Sequence, residues 1–138
     1  MAQRFRIGLG RNDDETFTFD VVLYKNHRQL QRSYRHCAKQ DRGAEPKRTR
    51  IGAFTTEYYW SKHSQEIGSI RFSTEHLTEK FIVHESTHAA LHLARYMDKY
   101  AGGFRSKRAR EELVAIATDV IYIEICQHVR KRKLKIGR

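Results

Sequence analysis

"FIVHESTHAALH", residues Phe81–His92, decides how the rest of the chain is read. An apolar triplet leads into two histidines four residues apart. Four residues is close to one helical turn, so His84 and His88 can direct their imidazoles to one place. The surrounding pattern, "EHLTEKFIVHESTHAALHLARYMDKY", predicts one long helix, capped by Ser73 or Thr74 and stopped at Gly102-Gly103. Leu77, Phe81 and Leu91 fall near the same stripe as the histidines. Both imidazoles are therefore expected to face the packed interior.

On the N-terminal side, "RFRIGLG" and "TFTFDVVLY" read as strands, and "NHRQLQRSYRHCAK" as a helix with Asn26 as its cap. A basic loop, "QDRGAEPKRTR", leads to "IGAFTTEYYW" and "IGSIRFS", two further short strands. On the C-terminal side the basic link "FRSKRAR" opens into "EELVAIATDVIYIEICQHV". Apolar residues cover most of the circumference of that last helix, so it is expected to be central. The order strand, strand, helix, strand, strand, helix, helix suggests an α+β domain with a small, mostly antiparallel sheet packed on the two long helices. The domain is expected over residues 1–129. Residues 130–138, "RKRKLKIGR", read as a basic tail that carries little core.

Composition bounds the function. The 138 residues suit one domain, and 39% are apolar, with seven Phe and seven Tyr. No run approaches the roughly 18 apolar residues that span a bilayer, and the N-terminus lacks the apolar block of a secretory signal. Cys37 and Cys126 form neither a disulfide framework nor a metal knuckle and read as buried thiols. Cytoplasmic residence is the simplest expectation. The net charge of +11 favours anionic partners. It is spread over "EPKRTR", "FRSKRAR" and the tail, with no phosphate loop or zinc-finger spacing, so any nucleic-acid association is expected to be weak.

The quoted stretch carries the chemistry. Two inward imidazoles need a reason, because an unsatisfied buried polar group costs roughly 1–3 kcal/mol. A shared zinc ion supplies one, since zinc binds neutral imidazole and a catalytic site keeps a position for water. Glu85 lies about 100° around the helix from His84. From there it can serve as the base for a zinc-bound water, and "HESTH" is a complete H-E-x-x-H match. A third protein ligand is normal at such a site. His92 is poorly placed, since His84 and His92 would stand about 12 Å apart along one axis. Glu111 and Glu112 open the last helix. Glu112 is preferred because Ala115 and Ile116 follow it on one face, with Asp119 two turns on to orient a histidine. Both glutamates are equally explained as favourable first-turn charges.

"FIVHESTHAALH" followed by "EELVAIATDVI" resembles the zincin metallopeptidases with glutamate as third ligand, above all small phage- and prophage-encoded zincin-like proteins. "VVLYKNHRQLQRSYRH" is similar to the strand and helix that open such proteins, and "IGSIRF" to the strand before the active helix, where an edge strand runs antiparallel to bound peptide. The resemblance implies His84 and His88 as zinc ligands, Glu112 as the third and Glu85 as base, acting on a peptide or protein substrate. Glu112 with Ala115 matches the small residue found three positions after the ligand glutamate. Ile116 departs from the pattern, because an aspartate often stands there. The oxyanion donor is not fixed by any motif; Tyr96, Tyr122, His92 and the tyrosines of "EYY", Tyr58 and Tyr59, are all open. Two other readings stand beside the peptidase: a zincin-fold interaction protein with little proteolysis, and a nucleic-acid-associated protein.

Overall fold

The computed structural model describes residues 2–10, 17–42 and 51–138, the side chains of 38–42 excepted. Apolar alternation in "RFRIGL" and "FTFDVVLY" builds β1 (Gln3–Leu9) and β2 (Phe17–Tyr24), paired antiparallel. Asn26 caps α1 (His27–Arg42), accepting a hydrogen bond from the Gln29 amide at 2.9 Å. β3 (Ala53–Glu57) and β4 (Glu66–Ser73) follow, then α2 (Glu79–Tyr100) and α3 (Lys107–Lys131). The sheet order is β1-β2-β4-β3. β2 and β4 run parallel, and the other two pairings are antiparallel. The architecture is α+β: a mixed four-stranded sheet packed against three helices.

Period-two alternation divides the sheet between two layers. Phe19, Val21 and Leu23 of β2, with Ile70 and Phe72 of β4, pack with Ile82, Leu93, Ile121 and Ile125 of α2 and α3. Val22 and Tyr24 point the other way and join Phe54 and Leu30 beneath α1. Asp20 ties neighbouring elements together, accepting from Arg6 at 3.0 Å and from the Tyr58 hydroxyl at 2.8 Å. Burial and that carboxylate push the Tyr58 hydroxyl up to about 12. Gly68 is required by close approach, because a Cβ there would strike the Thr56 carbonyl oxygen of β3.

Several expectations change. Ser73 caps a short 3-10 turn, Thr74–His76, and Thr78 caps α2 by accepting from the Phe81 amide at 3.2 Å. The turn and the extended Leu77 interrupt the helix that the apolar pattern extends back to Glu75. At the other end, the amides of Ala101 and Gly103 both donate to the Met97 carbonyl, and Gly102 and Gly103 adopt φ of 77° and 73°. α3 begins four residues before Glu111, capped by Ser106. It is not central: Ile116 and Ile123 are more than half exposed, because only one side of the helix meets α2 and the sheet. Both cysteines are free, Cys126 buried and Cys37 half-buried.

The basic end is also more than an appendage. After α3 the chain turns back, and Leu134 and Ile136 pack on the main core. The Gly137 amide donates to the Leu77 carbonyl at 2.8 Å, and the Gly137 carbonyl accepts from the Glu79 amide at 2.9 Å. The last bond satisfies one of the free amides at the start of α2. Arg132 lies over the Phe5 ring at 4.6 Å, and Phe5 stacks on His128 at 4.4 Å. Deleting residues 134–138 should therefore cost about 2–4 kcal/mol, from two half-buried aliphatic side chains and two backbone hydrogen bonds. Urea unfolding of the full and shortened chains measures this, and an unchanged midpoint would restore the loose-tail reading.

Candidate metal centre

The rotational setting of α2 places every residue of the motif. Ile82, Ser86, Ala89, Ala90 and Leu93 are buried. At about 100° per residue, Lys80, His84, His88, Leu91 and Arg95 then form the outward crest. His84 and His88 are thus exposed, contrary to the inward placement expected from Phe81 and Leu91, which are only half-buried. Their Nε2 atoms stand 3.1 Å apart, with ring centroids 4.8 Å apart. The pair borders a groove of about 570 Å³, whose lining includes Glu79, Val83, Thr87, Leu91 and Tyr122.

Glu85 occupies the flank that faces the sheet. It is buried, and its Oε1 accepts a hydrogen bond from the Thr55 hydroxyl of β3 at 2.8 Å. Its Oε2 lies 3.9 Å from His84 Nε2. Burial raises the Glu85 carboxyl above the usual carboxylate range, against the opposing effects of the Thr55 hydrogen bond and of His88 and His84. β3 is one of the two edge strands, so Thr55 sits at a margin of the sheet that no other strand of the described residues covers. "IGSIRF", by contrast, lies inside the sheet as part of β4, paired on both sides.

The third ligand is not brought to the pair. Glu112 is exposed near the start of α3, where Arg110 bonds Asp98 at 3.0 Å and fastens that end of the helix to the far end of α2. Tyr122 is the α3 residue that lines the histidine groove. It lies ten residues beyond Glu112, or about 15 Å along the axis. The antiparallel return of α3 through a short link sets this offset. Glu111 and Asp119 are exposed too, and no hydrogen bond joins Asp119 to either histidine among the described residues. No set of three His, Cys, Asp or Glu side chains suited to a metal forms among the described residues.

The oxyanion candidates separate. The Tyr58 hydroxyl is committed to Asp20, and the Tyr96 hydroxyl donates to the Lys62 carbonyl at 3.0 Å. Tyr59 is almost fully exposed. Tyr122 alone of these tyrosines lines the groove, and hydrogen bonding to Cys126, then burial, raises its hydroxyl. Thr55 is invisible to motif reading, because a threonine in "AFTTE" carries no signal beyond strand propensity.

His92 is buried beside β3, with Nε2 3.6 Å from Glu57 and Nδ1 lacking a hydrogen-bond partner among the described residues. Glu57 would favour an imidazolium, but Arg95 already holds Glu57 at 2.7 Å. Burial, Arg95 and His88 prevail, pulling His92 down to about 4. The chain matches no family model, no curated protein and no solved structure. An α+β architecture alone does not select the zincin fold, so function rests on the chemistry of the site.

The lowered His92 has a consequence for stability. Between about pH 6.5 and pH 4 the unfolded chain binds a proton that folded His92 refuses. Stability should fall as pH drops through that window, by up to roughly 3 kcal/mol, and the contribution should level off below it. Urea midpoints at pH 7.5, 5.5 and 4 test this against His92→Gln, which should show a shallower loss. Parallel pH profiles would exclude His92 as the source.

Proposed function

We propose that the chain is a zinc-dependent hydrolase of peptide bonds, with His84 and His88 as metal ligands and Glu85 as base. One observation carries the reading: two imidazole nitrogens 3.1 Å apart on a groove, with a buried carboxyl oxygen 3.9 Å from one of them. Two nitrogens, each about 2.0–2.1 Å from one tetrahedral zinc, stand about 3.3–3.4 Å apart. The helix therefore holds the pair close to ligand spacing. When bound, zinc supplies Lewis-acid polarisation of a carbonyl and acidifies water.

The chain's own residues support the remaining roles. Thr55 holds one oxygen of Glu85, leaving the oxygen nearer His84 to take and return a proton. Burial raises the carboxyl above the usual carboxylate range, which makes it a stronger base than a solvated glutamate. β3 is an edge strand, the kind of element on which an extended peptide pairs by backbone hydrogen bonds. Tyr122, from the opposite helix, lines the same groove.

The pair and Glu112 are too far apart for Glu112 to complete the set as folded. Moving α3 along α2 to join them would break the Arg110–Asp98 pair and unseat Ile121 and Ile125. We therefore read the centre as holding two protein ligands. That missing ligand also favours a second reading, a zincin-like interaction protein without proteolysis, whose histidines bond each other by an N–H donor and a ring-nitrogen acceptor.

Elemental analysis after zinc loading and dialysis should find about one zinc per parent chain and none in His84→Ala/His88→Ala. Equal contents would remove the site. Glu112→Ala should retain zinc near the parental level; a loss as deep as that of the histidine variant would return Glu112 to the ligand set. On a cleaved peptide drawn from a library, Glu85→Gln should keep zinc and lose at least about 100-fold in turnover. Undiminished turnover in Glu85→Gln would exclude the base, and absence of cleavage by zinc-loaded parent would favour the interaction protein.

A further inference from the structure

The charge of the chain has a focus that the basic stretches of the sequence do not include. α1 turns Leu30 and Tyr34 towards the sheet, Leu30 fully buried and Tyr34 edge-on to Phe54 at 5.4 Å. The same turn of the helix presents Arg28, Arg32, Arg35 and His36 to solvent. His27, Arg28, Gln31, Arg32 and Arg35 line one groove on this face. No acid occurs between His27 and Cys37. Glu75 stands at the start of the helix, where the His27 amide donates to it at 3.2 Å. Beneath the helix, Arg71 bonds the neutral oxygens of Tyr24, Ser33 and Ser69, and no salt bridge to it forms among the described residues.

We infer that the exposed face of α1 docks on the phosphate backbone of a nucleic-acid duplex through Arg28, Arg32 and Arg35. The inference is independent of the histidine site. The three arginines span about 10 Å of helix axis, a length over which a duplex presents about six phosphate charges. Guanidinium groups suit phosphate because they donate in a planar fork. Among the described residues the face exposes no Phe, Tyr or Trp ring on which bases could stack, since Tyr34 is turned onto Phe54, and this argues against a single strand as the preferred form. It also bears no exposed large apolar side chain to enter a lipid interface; those of the described residues lie elsewhere, at Tyr59, Val83, Ile116 and Ile123. The arginines meet the backbone and not the bases, so binding is expected to be indifferent to sequence.

The test is fluorescence anisotropy of a labelled mixed-sequence DNA duplex with the full chain over a range of salt. The parent should bind at low salt. Arg28→Gln/Arg32→Gln/Arg35→Gln should lower the slope of log affinity against log salt by about 2–3, at about 0.9 for each phosphate no longer neutralised. An equal-charge control, Arg105→Gln/Lys107→Gln/Arg108→Gln at the exposed α2–α3 junction, should change it much less. Thermal melting checks that each variant is folded, and Arg32→Glu alone should weaken binding at least about tenfold if the triple variant does not fold. Equal losses in the triple variant and the control would overturn the inference, leaving only the field of the net charge. It is equally overturned by no binding at low salt, by tighter binding to a single strand, or by preference for phosphatidylserine vesicles over the duplex.

Discussion

The rotational phase of α2 against the sheet governs the molecule. Ile82 and Leu93 anchor that phase in the main core, and Ser86, Ala89 and Ala90 keep the buried side of the helix narrow. Small side chains there allow α3 and the sheet to approach from neighbouring directions. Once the phase is set, the remaining positions have no freedom. His84 and His88 must lie on the crest, Glu85 must enter the crevice against β3, and Val83 and Thr87 must turn towards α3. Rotating α2 by one residue in one sense would bring Glu85 to the exposed crest, and in the other would bury His84 and His88; either loses the Thr55 hydrogen bond and the apolar packing of Ile82.

The two ends of α2 are fixed by different means. At its start, Thr78 and the returning Gly137 satisfy first-turn amides. At its end, two left-handed glycines release the chain into a short link, so α3 returns antiparallel. That return brings Tyr122 to the histidine groove and carries Glu112 away from it. The geometry of this hairpin thus leaves Glu112, the third ligand that the resemblance implies, away from the histidine pair. The separation has a physical origin, because sequence spacing fixes angles within one helix but not the offset between two. The offset is set by link length, by the Arg110–Asp98 pair and by the seating of Ile121 and Ile125.

Much of the fold is legible in the sequence for the same reason. The order of elements, the Asn26 cap and the glycine stop are local properties, and each is readable from neighbouring residues. The pairing of the histidines is readable too, being an i,i+4 relation. What is not readable depends on packing between distant segments. An inward placement of His84 and His88 weighs Phe81 and Leu91 as core, whereas Ile82, Ser86 and Ala89 define the buried side. The last helix looks central because its apolar residues surround it, yet Ile116 and Ile123 remain open. The tail looks detached because its charges conceal Leu134, Ile136 and a backbone bridge to Thr78.

The alternation of β3 gives the two candidate surfaces a common support. Phe54 points beneath α1 and meets Tyr34, while its neighbour Thr55 points to α2 and holds Glu85. Successive residues of one edge strand thus support opposite layers of the sheet. A duplex on the outer face of α1 would not cover the groove at α2, because the sheet lies between them. Side chains on the two faces do not touch, so their substitutions should act additively. A change in β3 itself would not obey that rule. Displacing the strand, as a side chain at Gly68 would do through the Thr56 carbonyl, moves Phe54 and Thr55 together. Coupling between the two faces, if a variant shows any, must therefore pass through the position of this strand rather than through a chain of charges.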